Sequence, residues 1–427
     1  MLKKITLPEF VSRKNKFILL SLVPLYFLIF GLFIQPLDEI IIGLQNIIIE
    51  PDLLITDYIV IGGIGASFIN ASVLTLVTLF LIYKFDLEFD GHTLTATFLM
   101  LGFSLFGKNI VNIWTILIGV WLYAIYHRMP VSKILYIGFY GTCLSPIITQ
   151  VLSISTLPES LRFILSIIIG VLIGFILPPL SSHLYSTHRG FSLYNVGFAA
   201  GIISTVIASL FKSFGIETKS RLLWSTGNNQ LFIVLLGIFF TCMIIFGLLH
   251  SRRGIINYLK ILISSGVNAP DYLLQYGHRA TAINMGVNGL IATFVVIIIG
   301  GELNGPTIGG IFTIVGFSST GKHILNIVPI MIGVIVAGSI KDWNISDPAP
   351  LITLLFSTTL APIAGRFGFF IGILAGFVHS SVALNIGILY DGMNLYNNGF
   401  AGGIVASFLV PIILSFKDRQ DRIKKVI

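Results

Sequence analysis

The sequence predicts an all-α polytopic membrane protein built from two homologous halves, and three observations support this prediction. Of the 427 residues 55% are hydrophobic and only 10% are charged, a balance that is foreign to soluble domains. Several apolar runs, among them 17–34, 163–180 and 231–249, reach the ~18 residues needed to cross a bilayer. The chain also repeats itself over nearly its whole length, so both halves should fold alike.

The net charge of +8 does not indicate a nucleic-acid partner. The basic residues form short clusters between apolar segments and at both tails, which is the pattern of the positive-inside rule. Cys143 and Cys242 both fall within apolar segments, which argues against a disulfide framework. We therefore expect a multi-pass protein of the cell membrane, with the lipid bilayer around it and both termini in the cytoplasm.

The internal repeat is visible in several stretches. DYIVIGGIGASFIN at Asp57 matches DYLLQYGHRATAIN at Asp271, and at the same offset GFSLFGKNIVNI matches GFSSTGKHILNI. Further along, LYNVGFAAG matches LYNNGFAGG. This duplication predicts a cytoplasmic tail (1–16), membrane repeat 1 (17–211), a linker (212–230), membrane repeat 2 (231–415) and a basic cytoplasmic tail (416–427).

Each half contains about seven apolar segments. In the first half they lie at 17–35, 58–84, 91–106, 110–127, 134–152, 162–180 and 191–211. The third segment is too short for a ~30 Å hydrocarbon core at ~1.5 Å rise per residue, so it either crosses or re-enters.

The fate of this short segment decides the symmetry of the protein. Seven crossings per half make the halves inverted repeats, whereas six make them parallel. A third arrangement, in which 191–211 also re-enters, inverts the halves again. The distribution of Lys and Arg in the loops favours inverted halves, with about 12 to 14 spans in total.

Two polar, glycine-rich interruptions recur in each half and are the candidate solute sites. Exposed N–H groups and a lysine in the GFSxxGK break can hold an anionic or hydrogen-bonding solute. The Tyr-Asn pair of the LYNxGFAxG motif can line a solute path at a helix start. The predicted substrate-binding residues are Ser104, Lys108, Asn112, Ser318, Lys322, Asn326, Tyr194, Asn195, Tyr396 and Asn397.

Each candidate also has a purely structural interpretation. Lys108 and Lys322 could extend to the membrane interface, the asparagines could cap helices, and the glycine motif could be a packing seam. Glu88 and Glu302 precede the first interruption in each half. They are the predicted coupling residues, because a carboxyl group that becomes buried can carry a proton, unless they lie in hydrated loops.

The stretch GFSSTGKH resembles a phosphate-binding loop, but His323 occupies the position where Ser or Thr should bind Mg²⁺. No soluble sheet surrounds it, so an ATP-driven pump is not expected. The histidines lack metal-ligand spacing, and no HExxH, GxSxG or DxD arrangement indicates an enzyme. We predict neither a cofactor nor a metal site.

The duplicated GFSxxGK and LYNxGFAxG motifs resemble an uncharacterised prokaryotic family of polytopic membrane proteins, known only as a domain of unknown function. This resemblance covers the full chain and implies no activity. The Tyr-Asn pairs are also similar to the YN-containing segments of urea transporters, which have two inverted halves with re-entrant helices. In topology alone, a seven-plus-seven arrangement resembles the nucleobase and sulfate transporters.

Inverted repeats are typical of secondary transporters. We therefore expect alternating-access transport of a small polar or anionic solute, with protons or Na⁺ as the candidate coupling ions. A passive urea-like channel, a membrane-embedded lipid-modifying enzyme and a structural assembly factor are the alternatives. The sequence leaves the substrate, the coupling ion and homo-oligomerisation open.

Overall fold

The fold is known from a computed structural model that describes residues 12–216, 221–249 and 252–426. Parts of the predicted tails and linker lie outside the described residues, namely 1–11, 217–220 and 427. The first described helix begins at Arg13, where the Ser12 hydroxyl accepts a hydrogen bond from the Asn15 amide at 3.3 Å. A side-chain cap of this kind satisfies one of the free N–H groups at a helix start.

The first half is helical apart from one two-residue strand and short connections. Its elements are α1 (Arg13–Ile34), α2 (Leu37–Ile49), β1 (Ile55–Thr56), α3 (Tyr58–Lys84), α4 (Gly91–Phe103), α5 (Trp114–Tyr126), a 3₁₀ turn (Val131–Lys133), α6 (Leu135–Gly141), a 3₁₀ turn (Thr142–Leu144), α7 (Ser145–Leu152), α8 (Glu159–His188) and α9 (Asn195–Ser213).

The second half repeats the order of the main helices but has its strand at the start. Its elements are β2 (Leu222–Leu223), α10 (Asn229–Leu248), α11 (Arg252–Ile261), α12 (Tyr272–Tyr276), α13 (His278–Ile298), α14 (Gly305–Phe317), α15 (Ile324–Gly338), α16 (Pro348–Phe356), a 3₁₀ turn (Ser357–Leu360), α17 (Ala361–Phe367), α18 (Phe369–Ile386), a 3₁₀ turn (Gly387–Tyr390) and α19 (Asn397–Val426). Strands β1 and β2 pair in parallel and join the linker to the first half.

The two halves match even in their irregularities. Helix α3 is kinked at Gly63, whose φ is 83°, and the equivalent Gly277 separates α12 from α13 with a φ of 86°. Both values lie in the left-handed region that only glycine adopts without strain. The duplicated sequence therefore encodes the same sharp bend twice.

Within the described residues, ten helices or joined helix pairs are long and apolar enough to span a membrane. The pairs α6–α7 and α16–α17 each count as one such span. The chain is therefore a multi-pass membrane protein, with five long spans in each half and further short helices between them. The short helices α4, α5 and α14 have 13 residues and α15 has 15, so each is about 20 Å long.

The sequence segments agree with these helices except at two places. Helix α2 and its partner α11 were not among the predicted apolar segments. The segment predicted at 134–152 is divided by a 3₁₀ turn at Thr142–Leu144, and this turn later proves important for the site. Periodicity misses both features because a short helix and a tightened turn leave the overall hydropathy unchanged.

The core of the protein is the antiparallel pair formed by α4 and α14. Gly102 packs directly on Gly309, and the start of α4 at Gly91 meets the end of α14 at Ser319. In α14 every residue is buried. Because Gly102 and Gly309 have no side chains at the point of contact, the two backbones approach closely.

Each half caps the central helix of the other. The Asp271 carboxylate accepts a hydrogen bond from the Gly91 amide at 2.8 Å, at the start of α4. Its equivalent Asp57 accepts one from the Gly305 amide at 3.2 Å, at the start of α14. Carboxylates at helix starts satisfy free N–H groups and favour the helix dipole.

A second reciprocal exchange lies before α9 and α19. The Leu193 amide donates to the Thr359 carbonyl at 3.0 Å, and the Leu395 amide donates to the Cys143 carbonyl at 3.0 Å. The starts of α9 and α19 then cross at Gly197 and Gly399. These exchanges make the two halves one interlocked body.

Candidate functional site

The GFSxxGK motifs form the breaks that follow α4 and α14. At each break a glycine adopts a positive φ, 85° at Gly107 and 107° at Gly321, which turns the backbone out of the helix. Helix ends leave carbonyl groups without intrahelical partners. A buried asparagine from the neighbouring long helix satisfies them in both halves.

These asparagines make matching pairs of hydrogen bonds. The Asn70 amide group donates to the carbonyls of Ser104 at 2.7 Å and Lys108 at 2.9 Å. Its equivalent Asn284 donates to the carbonyls of Ser318 and Lys322, both at 2.7 Å. Ser104 and Ser318 therefore contribute their backbones to the break.

The side chains of these two serines differ. Ser318 Oγ accepts a hydrogen bond from Asn288 at 2.7 Å. Ser104 Oγ has no partner among the described residues. Both serines are fully buried, so the predicted solute contact of either one stays a prediction.

Lys108 and Lys322 do not extend to the membrane interface, because both are 0% exposed. The interface-anchor interpretation of the two lysines is therefore wrong. Among the described residues neither lysine forms an ion pair with a carboxylate. A buried ammonium group without such a partner is costly, and inside a membrane protein it usually marks a solute or ion pathway.

Lys322 is held by two hydroxyl groups. Its Nζ donates to the Tyr194 hydroxyl oxygen at 2.5 Å and to Thr358 Oγ1 at 2.8 Å. It also lies 4.6 Å from the centre of the Tyr194 ring and 5.3 Å from that of Phe317. Ring faces at these distances attract a cation.

Lys108 occupies the equivalent place with weaker contacts. Its Nζ lies 3.9 Å from the Met100 sulfur, and 5.2 and 5.3 Å from the ring centres of Phe103 and Tyr396. The Tyr396 hydroxyl has no partner among the described residues. In each half, therefore, the lysine of one repeat is covered by the tyrosine of the other.

An aromatic layer connects the two lysines. Tyr396 packs on Phe103 with ring centres 4.4 Å apart, Phe103 packs on Phe356 at 5.5 Å, and Tyr194 packs on Phe317 at 4.7 Å. The ring centres of Phe356 and Tyr194 lie 6.4 Å apart, and this contact connects the two groups of rings. The layer is the floor of a cavity between the halves.

This cavity has a volume of about 520 Å³, which lies within the usual range for small-molecule sites. Lys133, Ser182 and Tyr185 line it and are exposed, so they mark its mouth. Tyr194 and Tyr396 line its buried end, and the two lysines lie behind them. Solute entering the cavity would reach the lysines only if these rings moved.

The Asn residues of the LYNxGFAxG motifs tie α9 and α19 to the preceding helices. Asn195 donates to the Ser181 carbonyl at 2.9 Å, and Asn397 donates to the Ala383 carbonyl at the same distance. Asn195 also lines the cavity, whereas Asn397 is buried and accepts a hydrogen bond from Tyr390. Only Asn195 of this pair is placed to contact a solute.

Asn112 and Asn326 stabilise the starts of α5 and α15. Asn112 Oδ1 accepts from the Asn109 amide at 3.0 Å, and Asn326 Oδ1 accepts from the His323 amide at 2.9 Å. Neither residue lines the cavity. Their observed contacts are those of helix-start residues.

The predicted coupling residues Glu88 and Glu302 lie away from the lysines. Glu88 is exposed in the loop before α4. Glu302 is half-buried, and its carboxylate accepts a hydrogen bond from the Gly227 amide at 3.1 Å. Neither lines the cavity, so they share no solvent-filled space there.

Three side chains of the site were missed at the level of sequence. The Thr358 hydroxyl accepts a hydrogen bond from Lys322. The hydroxyl of its equivalent, Thr142, contacts the Met100 sulfur, which also contacts Lys108. Phe356 packs between Phe103 and Tyr194 in the aromatic layer. Alignment of GTCLSPI with STTLAPI superimposes the two threonines. A shared hydroxyl position at a turn inside an apolar segment was the signal that could have found them.

No group of three or more His, Cys, Asp or Glu that could hold a metal ion occurs in the described part of the chain. A family model described as "Protein of unknown function (DUF1576)" matches residues 37–213 and again residues 250–415. Each matched region covers most of one half of the fold but leaves out its first long helix, α1 or α10. No curated protein and no solved structure matches the chain.

Proposed function

The chain belongs to the DUF1576 family, and for this member we propose secondary transport of a small polar or anionic solute by alternating access between the two halves. The proposal assigns no catalytic step to the protein. It rests on one observation above all, the pair of buried lysines at equivalent helix breaks.

The lysines favour an anion as the solute. Two buried lysine side chains without carboxylate partners lie behind the tyrosines at the end of a cavity of about 520 Å³, and when they bind protons they form a positively charged region that a small anion can neutralise. The hydroxyl groups of Tyr194 and Thr358 already contact Lys322 and are suited to solvate such an anion.

The proposal includes inverted halves. Helices α4 and α5 together begin and end on one side, because Tyr136 near the start of α6 contacts Thr93 near the start of α4 at 2.7 Å. The pair therefore adds an even number of crossings, or none, to the five long spans of each half. An odd total turns the second half upside down relative to the first.

The mouth of the cavity is proposed to face the cytoplasm. Lys133 lines the mouth, and Arg128 and Arg189 lie in the neighbouring loops. Arg13, at the start of α1, donates to the Leu87 carbonyl at 3.1 Å and so belongs to the same side. Clustering of basic residues on one side is the strongest general indicator of the cytoplasmic face. This assignment puts the N-terminus in the cytoplasm.

One-sided access favours a carrier over a channel. The first half contributes Tyr136, Tyr140 and Ser181 to the cavity, whereas the equivalents of Tyr136 and Ser181, namely Ile352 and Ala383, do not line it. In an inverted-repeat carrier the halves exchange these roles, which opens the site to the other side.

Reconstituted protein can test the proposal. We would measure uptake into proteoliposomes of phosphate, sulfate, acetate, succinate and urea, each as a labelled solute. Saturable, accelerated uptake of at least one anion is expected, and Lys322→Met should lower it strongly. Lys260→Met is the matched control, since this lysine is exposed on α11.

Two results would contradict the proposal. Uptake of urea without saturation, equal in all variants, would indicate a passive channel. Unchanged anion uptake in variants of both buried lysines would remove the positive region from the mechanism.

A further inference from the structure

A second buried charged group lies beside the Lys108 break. Asp52, in the loop between α2 and β1, is 0% exposed. Its carboxylate oxygens accept hydrogen bonds from the Tyr58 hydroxyl at 2.8 Å and from the Asn112 amide group at 3.0 Å. Thr149 and Gln150 of α7 bind its backbone.

The groups around Asp52 are mostly neutral. Helix α3 presents Tyr58, the segment before α5 presents Asn112, and α7 presents Thr149 and Gln150, all of them uncharged. The charged neighbours are Glu50 at the end of α2 and Arg221 in the linker, which form an ion pair with each other. No cation among the described residues forms an ion pair with Asp52 itself.

This environment disfavours the ionised carboxylate. Burial raises the pKa of Asp52 from 3.8 to about 7, although the hydrogen bonds from Tyr58 and Asn112 act in the opposite direction. Glu50 raises this pKa further, and Arg221 lowers it. Asp52 therefore exchanges its proton near neutral pH.

Asn112 connects this carboxylate to the break. Its amide group donates both to Asp52 Oδ2 and to the Gly107 carbonyl, the latter at 3.3 Å, while its oxygen accepts from the Asn109 amide. Lys108 lies between these two backbone contacts. One asparagine side chain thus joins Asp52 to both sides of the lysine.

The second half has no such carboxylate and no room for one. The residue equivalent to Asp52 is Gly266, where an added Cβ would lie 2.3 Å from the Gly321 carbonyl oxygen. Asn326, the equivalent of Asn112, donates to that same carbonyl at 2.9 Å. This difference between the halves is one of residue type, Asp52 against Gly266. Tyr194 and Tyr396, by contrast, are the same residue and differ only in their hydrogen bonds.

We propose that Asp52 is a proton-binding site that controls the Lys108 break through Asn112. When the carboxylate takes up a proton from solvent, its charge-assisted bond with Asn112 becomes a weaker neutral bond. Asn112 then holds Gly107 and Asn109 less firmly, and the backbone that carries Lys108 is freer to move. Loss of the proton restores the tighter state.

The stability of the protein follows from the same equilibrium. The unfolded chain loses the Asp52 proton near pH 4, whereas the folded chain keeps it until about pH 7. Between these values the native state binds more protons, so this group makes the folding stability fall as pH rises, and its contribution is constant above that range. Asp52→Asn removes this contribution.

Infrared spectroscopy of the purified full chain measures the proton directly. The wild type should show the carbonyl band of a buried protonated carboxyl group, lost on titration with a midpoint near pH 7. Asp52→Asn should lack this band. Glu88→Gln and Glu302→Gln are controls that should retain it, because Glu88 is exposed and Glu302 is only half-buried, whereas Asp52 is fully buried.

Hydrogen exchange of residues 107–112 gives the second readout. After correction for the intrinsic rate, these amides should exchange faster at pH 6 than at pH 8 in the wild type, and equally at both in Asp52→Asn. If that variant does not fold, Tyr58→Phe keeps the carboxyl group and should raise the midpoint, because a bond that favours the ionised form is lost.

The proposal is overturned if the band persists in Asp52→Asn, if its midpoint lies below pH 5, or if exchange at the break ignores pH. A role of this proton in driving uptake rests on the proposed transport. Infrared titration needs no transported solute, so a negative uptake screen would not contradict the proton site. Likewise, a negative titration would not contradict an observed uptake.

Discussion

The pockets around Lys108 and Lys322 have matching side chains and different contacts. Lys322 is bonded to Tyr194 and Thr358, whereas Lys108 touches the Met100 sulfur and no hydroxyl oxygen. Both threonine hydroxyls donate to the carbonyl three residues earlier, Thr142 to Phe139 at 2.7 Å and Thr358 to Leu355 at 2.8 Å, but only Thr358 also accepts from its lysine. We call the Lys322 pocket engaged, because its lysine is bonded to hydroxyl groups, and the Lys108 pocket disengaged, because its lysine is not.

This difference shows how a duplicated structure can hold two local states at once. Both pockets contain a lysine, a threonine and a tyrosine from the opposite half, so either can make the full set of bonds. Two side chains near Lys108 differ in the second half, where Ile314 replaces Met100 and Thr359 replaces Cys143. Alternating access would exchange the engaged and disengaged pockets.

Replacing each lysine by methionine should have the largest effect on anion uptake. It should also separate the contribution of the amino group to uptake from the contribution of its hydrogen bonds to stability. We expect anion uptake to fall about 100-fold in both Lys108→Met and Lys322→Met, since each anion-binding state loses a cation, a change of about 2.7 kcal/mol. Unfolding in mixed micelles should differ between them. Lys322→Met loses two hydrogen bonds to hydroxyl oxygens and is destabilised, whereas Lys108→Met removes a buried polar group that contacts only the Met100 sulfur and is not.

Normal uptake by Lys108→Met would break the comparison, because the disengaged pocket would then have no part in transport. The exposed variant Lys260→Met controls for loss of a positive charge alone.

Removing the hydroxyl groups of Tyr194 and Tyr396 should give the next largest effect, a difference in the free energy of unfolding between the two variants. Tyr194→Phe loses a hydrogen bond to a charged group, so we expect the free energy of unfolding to fall by about 2 kcal/mol. Tyr396→Phe should change it by less than about 0.5 kcal/mol, because its buried hydroxyl has no partner among the described residues. Parallel unfolding titrations would measure both, and equal losses would mean that the pockets are equivalent in solution.

The glycine contact between α9 and α19, called the seam, should give the smallest effect. Equivalent substitutions in the two helices should lower the free energy of unfolding by the same amount. An added Cβ would lie 2.0 Å from the Phe400 ring at Gly201 and 2.2 Å from the Phe198 ring at Gly403. We expect Gly201→Ala and Gly403→Ala each to cost about 1.5 kcal/mol of unfolding free energy. Gly237→Ala on α10, with open space around it, should be neutral or stabilising. Unequal losses at the seam would show that the asymmetry extends beyond the lysine pockets.

Much of the fold followed from the sequence because it depends on composition and repetition. Apolar length predicted the long spans, and the repeat predicted two halves that fold alike, with which the matching bends at Gly63 and Gly277 agree. The shortness of 91–106 was visible from residue count. The division of 134–152 was not, because the turn at Thr142–Leu144 changes backbone geometry without changing hydropathy.

The site was predictable in its members more than in its contacts. GFSxxGK and the Tyr-Asn pairs identified Lys108, Lys322, Tyr194 and Tyr396, which the fold brings together. That each lysine lies under the tyrosine of the other half depends on contacts more than a hundred residues apart in the chain. Sequence spacing carries no information on such contacts, and it equally could not separate Asn195 in the cavity from Asn397 outside it.

The exchanged helix caps have a consequence for the order of folding during synthesis. Asp271 follows Gly91 by 180 residues, and Gly305 follows Asp57 by 248 residues. When α4 leaves the ribosome, its first amide has no carboxylate to bind, and the contact waits for the second half. We expect a nascent chain ended before Asp271 to leave the Gly91 amide open to hydrogen exchange, and a chain extended past α14 to protect it.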